Sequence, residues 1–274
     1  MPCRPTLNLP VTVWRDGKVA AGRRTLAEET AVALTYDGTT QAVMMATPQD
    51  LEDFAVGFSL TEGIAAASDI ESIEVVATDL GMYVQMRLKA ARGEALAARR
   101  RAMAGPVGCG LCGIESLAEA MRPVPSVPAG RTIAAAEIAA ALRRLPPLQV
   151  LNRETRAVHA AAFIGPDSAA PLVREDVGRH NALDKLAGAV ARAGIDAAAG
   201  FVIVTSRLSI EMVQKAAVIG VPVLVAVSAP TALAVRTAEA AGLTLVVVAR
   251  DDGFEIATHP ARIAFPHADG RAIA

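Results

Sequence analysis

The feature that most constrains the fold is a regular alternation of short apolar runs and helical segments after about residue 150. The runs have the length of buried strands, and the segments between them repeat apolar residues at helical spacing. Strands that are apolar throughout and joined by helices are typical of a mainly parallel sheet covered on both faces. The predicted strands are Leu172–Val173, Phe201–Thr205, Val221–Val227, Leu243–Ala249 and Phe254–Thr258, and the predicted helices are Asn181–Ala193, Ile210–Ile219 and Ala232–Ala241.

The first ninety residues predict a smaller α+β unit. Thr47 has the chemistry of an N-cap and Pro48 suits the first position of a helix, which we expect to run through about Thr61. Asp37-Gly38 predicts a hairpin turn. The strands predicted here are Pro10–Trp14, Thr30–Tyr36, Gln41–Ala46, Ser72–Ala77 and Met82–Leu88.

Three regions follow from these patterns. Residues 1–104 form the N-terminal α+β unit, residues 105–150 form a loop with linking helices, and residues 151–274 form the sheet domain. In the middle region Thr132 is expected to cap a helix that ends near Arg144, before Pro146-Pro147 stops it. Hydrophobic residues make up 53% of the chain and aromatic residues only 3%, which favours an α/β fold.

The net charge and the length of the apolar runs indicate which partners and which location to expect. A formal net charge of -1 gives no general attraction to nucleic acid or to an anionic membrane. No apolar run approaches the roughly 20 residues of a membrane span, and the N-terminus lacks the pattern of a secretory signal. We therefore expect a cytoplasmic protein with neither nucleic acid nor membrane as a partner.

Two of the three cysteines, Cys109 and Cys112, lie two residues apart in a stretch from Gly105 to Gly113 that contains four glycines and one proline. Such a pair can cycle as a disulfide, bind a metal or pass sulfur from one thiol to another. Arginines just upstream, at 99–101, would favour the thiolate that sulfur transfer needs. Zinc needs about four ligands, and the four histidines and Cys3 form no second paired motif, so no metal site is predicted. Burial as small apolar side chains is the remaining alternative.

Charged residues crowd the segment Arg174–Lys185. Unpaired charge is costly in a core, so this segment indicates a polar site that includes Arg179 and His180, although a solvated surface loop with ordinary ion pairs fits as well. Asn181 is expected to cap the following helix, whose first amides would attract an anion.

A third candidate segment follows a predicted strand at Thr205–Lys215. Ligands of such sheets bind beyond the carboxyl ends of the strands, where Ser206 and Arg207 can contact phosphate. Ser209 is expected to be an N-cap, and His159 is more often a core histidine than a ligand. Neither a phosphate-binding loop of the Walker type nor a dinucleotide fingerprint after a strand is present.

Together these segments resemble the FdhD family of formate dehydrogenase accessory proteins. The resemblance covers nearly the whole chain in the family order. It rests on Thr47–Phe54 with Gly57-Phe58, Gly108–Gly113, Glu175–Lys185, Thr205–Val213 and Ser228–Thr231.

The resemblance implies a sulfur carrier. A cysteine desulfurase would load sulfur onto Cys109 as a persulfide, with Cys112 assisting or resolving the transfer. The sulfur would pass to the bis(molybdopterin guanine dinucleotide) molybdenum cofactor, bound as cargo, before its insertion into formate dehydrogenase. The main rival hypotheses are a chaperone that binds the cofactor without covalent sulfur transfer and a zinc-dependent hydrolase or deaminase.

The resemblance also implies a fold, a binding segment and an assembly. The carboxyl domain would be a three-layer αβα sandwich similar to the cytidine deaminase fold, and the protein would form a homodimer. The cofactor, or GDP as its mimic, would lie against Val247, Val248, Ala249, Arg250, Asp251, Asp252 and Gly253. Arg250 suits a phosphate, whereas the two aspartates would accept hydrogen bonds from a guanine edge or face solvent.

Overall fold

The computed structural model describes residues 4–94, 96, 121, 123–166, 170–266 and 272–273. Strands in the described part of the chain form sheets of two, three, four and six members. None of the helices in these ranges is long and apolar enough to cross a membrane.

The N-terminal part contains a hairpin followed by a four-stranded sheet. The hairpin consists of β1 (Thr6–Arg15) and β2 (Lys18–Ala27), and the sheet consists of β3 (Thr30–Tyr36), β4 (Thr39–Ala46), β5 (Ile70–Thr78) and β6 (Gly81–Leu88) in the order β4-β3-β6-β5. Helix α1 (Leu51–Thr61) packs on this sheet through Phe54 and Phe58. The turn at Asp37-Gly38 is confirmed, because both residues adopt left-handed φ values.

Helix α1 begins later than predicted. Its first residue is Leu51 and its N-cap is Asp50, so Thr47 is not the cap and Pro48 precedes the helix. The hydroxyl of Thr47 instead accepts a hydrogen bond from the backbone N–H of Val177 at 3.1 Å. The Thr47 side chain therefore bonds to a residue distant in sequence instead of capping the helix.

The carboxyl part is built on the six-stranded sheet. Its helices are α2 (Ala135–Leu148), α3 (Val150–Thr155), α4 (Arg179–Arg192), α5 (Ile210–Ile219) and α6 (Ala232–Ala241). Its strands are β8 (His159–Ile164), β9 (Leu172–Asp176), β10 (Phe201–Val204), β11 (Val223–Ala226), β12 (Thr244–Arg250) and β13 (Gly253–Ile256), in the order β13-β12-β11-β10-β8-β9. A small separate sheet contains β7 (Ile133–Ala134), β14 (Ile263–Pro266) and β15 (Ala272–Ile273).

The sheet is mixed, so the prediction of a mainly parallel sheet is correct only at its centre. Strand β11 pairs in parallel with β10 and β12, whereas β8–β10, β8–β9 and β12–β13 are antiparallel pairs. The physical reason is the length of the connections. Only seven residues separate β8 from β9 and two separate β12 from β13, and a connection this short joins antiparallel strands.

Helices cover both faces of this sheet. On one face α4, α5 and α6 pack against side chains such as Val204, Leu224 and Leu245, and on the other face α2 packs against Phe201 and Val223. The closer likeness to the cytidine deaminase fold and the division into three regions stay predictions.

Two details of the middle region differ from expectation. Helix α2 continues to Leu148 with Pro146 and Pro147 inside its last turn, and its N-cap is Ala134 rather than Thr132. Strand β8 was not predicted, because its alanines at 160–162 have low strand propensity although all three are buried.

The N-terminal and carboxyl parts meet where α1 crosses α4 at close range. A Cβ atom built on Gly57 would lie 1.7 Å from the carbonyl oxygen of Asp184, and one built on Gly188 would lie 1.9 Å from that of Asp53. Neither distance is physically possible, so only glycine at both positions allows the two backbones to approach this closely.

Substitution Gly188→Ala should lower the free energy of unfolding by about 2 kcal/mol or more, because the helices must separate to admit one methyl group. Urea unfolding measures the change. Ala240→Ser, on an exposed part of α6, is the matched control and should change stability by less than about 0.5 kcal/mol. A Gly188→Ala protein as stable as its parent would show that the helices do not meet in this way.

Candidate functional site

The candidate site is one edge of the six-stranded sheet, here called the carboxyl edge. It contains the ends of β9, β10, β11 and β12 and the start of β8. Backbone contacts connect these segments: His159 lies opposite Asp176, the N–H of Thr205 donates to Ala160 at 3.0 Å, and the N–H of Val248 donates to Ser228 at 3.3 Å. All the predicted binding residues in the described ranges therefore lie along this one edge.

The turn between β9 and α4 is held by the carboxylate of Asp176, which is fully buried. One oxygen accepts hydrogen bonds from the backbone N–H of Gly178 at 2.8 Å and from the side chain of Asn181 at 3.0 Å. The other oxygen accepts from the N–H of Thr47 at 3.0 Å and pairs with Nζ of Lys185 at 2.7 Å. The carboxylate thus ties the N-terminal part to the turn that begins α4.

Lys185 completes this group. Its side chain is fully buried and its Nζ also donates to the carbonyl oxygen of Thr47 at 2.9 Å. Burial lowers the pKa of Lys185, and the neighbouring Asp176 carboxylate opposes that shift.

A second buried ion pair lies deeper between α4, α5 and α1. Nζ of Lys215 is 2.9 Å from Asp184 and 2.7 Å from Glu62, and the hydroxyl of Thr61 donates to Asp184 at 2.6 Å. Burial acts to lower the pKa of Lys215, but the two carboxylates outweigh it and raise the value. This group too joins the N-terminal part to the sheet domain.

The charged segment Arg174–Lys185 is therefore mainly a set of partnered groups rather than a solvated loop or a set of free ligands. Both oxygens of Glu175 accept backbone N–H groups at the start of α3, each at 2.9 Å. Asn181 does not cap α4 as predicted. Gly178 is the N-cap, and the Asn181 amide donates to Asp176 and to the carbonyl oxygen of Met45.

Two members of that segment remain available to a ligand. Arg179 and His180 are the first residues of α4, both are only partly buried, and Arg179 forms no salt bridge with another described residue. Nε2 of His180 lies 3.4 Å from Glu211. Burial, followed by the charge of Arg179, lowers the pKa of His180, which favours the neutral imidazole.

The loop after β10 supplies a second cation. Arg207 is exposed and makes no salt bridge within the described ranges. Ser206, by contrast, is buried and its hydroxyl donates to the Arg207 carbonyl at 3.0 Å, so it shapes the loop. Ser209 holds the N-cap position of α5 as predicted, but no side chain caps the first amides of α4 or α5. Two helix N-termini and two arginines make this part of the edge attractive to an anion.

The predicted segment Val247–Gly253 lies at the far end of the same edge. Val247 and Ala249 are buried in the two cores, so only their backbones can reach a ligand. Val248 adopts a left-handed φ of 50°, which is strained for a β-branched residue, at a shift in the β12–β13 register. The exposed tip of this hairpin consists of Arg250, Asp251, Asp252 and Gly253.

Cys109 and Cys112 lie outside the described residues, so their place relative to the carboxyl edge stays a prediction. Within the described ranges no group of three or more His, Cys, Asp or Glu side chains could hold a metal ion. One further residue of the edge is His159, which the sequence suggested as a core histidine and the structure places beside Thr205.

Comparison with known proteins identifies relatives over almost the whole chain. The family model described as the FdhD/NarQ family matches residues 27–264. A protein from Agrobacterium fabrum named sulfur carrier protein FdhD is 58% identical over 254 residues, with 92% of this chain and 94% of that protein covered. A protein of the same name from Cupriavidus necator is 50% identical over 254 residues, with 92% and 88% covered.

A solved structure shares the fold. The crystal structure of a proposed formate dehydrogenase accessory protein from Desulfotalea psychrophila matches with a TM-score of 0.76. The match covers 95% of this chain and 100% of that one at 24% sequence identity, so it supports the fold alone.

The Asp176 group gives a testable energetic result. Lys185→Met leaves a buried carboxylate without its cation and should lower the free energy of unfolding by about 3 kcal/mol or more in urea titrations. Combining it with Asp176→Asn should cost less than the sum of the two single changes, because the charges act as a pair.

Glu52→Gln is the matched control for that experiment. It removes an ion pair with Arg192 in which both side chains are at least 43% exposed, so it should cost less than about 1 kcal/mol. Additive effects of Asp176→Asn and Lys185→Met would contradict the pairing.

Proposed function

Because the chain belongs to the FdhD/NarQ family, we propose that it is a sulfur carrier that supplies sulfur to the molybdenum cofactor of a formate dehydrogenase. The observation that carries this proposal is the 58% identity, over 92% of the chain, to a protein named sulfur carrier protein FdhD. The cationic carboxyl edge supports it, because a cofactor with two nucleotide tails is strongly anionic.

The sulfur would be carried on Cys109. Its thiolate attacks the outer sulfur of a persulfide on a cysteine desulfurase, a new sulfur–sulfur bond forms, and the desulfurase cysteine leaves as a thiolate. The arginines at 99–101 precede Cys109 closely in sequence and favour its thiolate form. Cys112 would assist the onward transfer or resolve a mixed disulfide.

The cofactor, bis(molybdopterin guanine dinucleotide) molybdenum, would bind as cargo along the carboxyl edge. Arg179, Arg207 and the uncapped first turns of α4 and α5 offer charge-assisted hydrogen bonds to its phosphates. The strand ends are spaced at about 4.8 Å, so the row from β9 to β12 spans roughly 20 Å, enough for an extended ligand.

The guanine part would lie at the β12–β13 hairpin. The backbone of Val247, Val248 and Ala249, together with exposed Asp251 and Asp252, offers acceptors for the guanine edge, and Arg250 offers a cation. The two aspartates would repel a phosphate, which supports their assignment to the base rather than to the phosphates. GDP is expected to mimic this part of the cargo.

The proposed partners are a cysteine desulfurase as donor and a formate dehydrogenase as client. Homodimer formation and a cytoplasmic location stay predictions. A second candidate function is a chaperone that binds the cofactor without carrying sulfur, because the cationic edge would serve that role equally well.

Substitution Cys109→Ala separates these two functions. The sulfur-carrier proposal predicts that formate dehydrogenase activity in cells carrying the variant falls to the level without the protein, because the proposed persulfide is carried on Cys109. Binding of GDP to the purified variant, measured by titration calorimetry, should remain within about twofold of the parent, because the carboxyl edge is unchanged.

Cys3→Ala is the matched control for that experiment, because Cys3 lies outside every segment that resembles the family. It should mature formate dehydrogenase normally. Full maturation with Cys109→Ala would favour the passive chaperone, and failure of the parent protein to bind GDP would count against the proposed binding edge.

A further inference from the structure

His159 lies in the middle of the carboxyl edge. It belongs neither to the charged segment nor to the loop after β10. It is the first residue of β8, between the ends of β9 and β10, and it is only partly buried. Its Nε2 has no hydrogen-bond partner among the described residues. In the part of the chain that the structure describes, every fully buried polar side-chain atom has a partner, so this nitrogen is not fully buried.

Thr205 lies beside the other ring nitrogen, Nδ1. The backbone N–H of Thr205 donates to the carbonyl oxygen of Ala160 at 3.0 Å, and its Oγ1 accepts the N–H of Ala160 at 2.9 Å. The first bond fixes the backbone of Thr205 and the second holds its side chain. Its Oγ1 then lies 3.5 Å from Nδ1 of His159, at the long end of hydrogen-bond distance. The hydroxyl has one proton to donate, and the carbonyl oxygen of Ala160 also lies 3.4 Å away. That carbonyl already accepts the backbone N–H of Thr205, whereas Nδ1 has no other donor among the described residues. Donation to Nδ1 places the ring proton on Nε2.

The surroundings keep this imidazole neutral. Burial, followed by the charge of Arg179, lowers the pKa of His159 below its ordinary value of 6.5. Asp176 lies opposite His159 across the β8–β9 pair, but its carboxylate bonds to Gly178, Asn181, Thr47 and Lys185. No described carboxylate pairs with His159, so in the unliganded protein none of these carboxylates stabilises an imidazolium.

We propose that His159 binds a phosphate of the cargo as a neutral hydrogen-bond donor through Nε2, and that Thr205 is the positioning residue that sets this tautomer. The inference rests on the proposed function, since it deepens the same site. Its chemical basis is that the edge already holds the cations Arg179 and Arg207, whereas a neutral donor adds direction without further charge repulsion.

Titration calorimetry with GDP tests the inference. His159→Ala should weaken binding roughly tenfold, the effect of losing one hydrogen bond to a charged group. His159→Gln places a neutral amide donor near the position of Nε2 and should recover most of the affinity. Thr205→Val should weaken binding by several-fold, and His159→Ala with Thr205→Val should be no weaker than His159→Ala alone, because both changes act through one donor.

The tautomer has its own measurement. Nitrogen NMR of the parent protein labelled in histidine should show His159 with a protonated Nε2 and an unprotonated Nδ1 at pH 7, and Thr205→Val should mix the two tautomers. A merely structural histidine would change the melting temperature without changing GDP affinity.

The outcomes separate this inference from the proposed function. If the parent binds GDP and His159→Ala binds it equally well, His159 is not a ligand and only the inference fails. If His159→Gln binds as weakly as His159→Ala, or NMR shows an imidazolium, the neutral-donor role is wrong. If the parent does not bind GDP at all, the proposed binding edge itself fails.

Discussion

The arrangement of the carboxyl edge depends on the buried carboxylate of Asp176. It binds the N-terminal part through Thr47, the turn before α4 through Gly178, and the helix itself through Asn181 and Lys185. A buried ion pair adds little net stability against well-packed apolar residues, but it allows only one geometry in which every charge is satisfied. We infer that this geometry sets the position of the first turn of α4, which carries two of the candidate ligands.

The N-terminal part is therefore a structural component of the site and not a separate accessory. Two glycines let α1 approach α4 to backbone contact, and two buried ion-pair groups hold the same interface, one near the carboxyl edge and one deeper. Arg179 and Arg207 at the edge have no carboxylate partner among the described residues, whereas the charges behind them are paired. That contrast between partnered and available charge distinguishes the structural groups from the candidate ligand-binding groups along one short segment of the chain.

Sequence patterns predicted those elements whose formation depends on nearby residues. The apolar runs located β10, β11 and β12, because a strand covered on both faces must be apolar at every position. The apolar runs missed β8, whose alanines are strand residues only because their neighbours bury them. Capping chemistry wrongly assigned Thr47 and Asn181 as N-caps. The hydroxyl of Thr47 bonds to Val177, which is 130 residues away, and no short-range rule reports such a contact. The charged segment Arg174–Lys185 was predicted to be a polar site. Which of its groups are structural and which are available could not be predicted, because that depends on how α1 packs against it.

The central claim is that Cys109 accepts sulfur, and intact mass spectrometry tests it most directly. The parent protein, incubated with a cysteine desulfurase and cysteine, should gain mass in steps of one sulfur atom that a reductant removes. The account predicts no such gain with Cys109→Ser. The same gain in a protein in which both Cys109 and Cys112 are replaced by serine would contradict it.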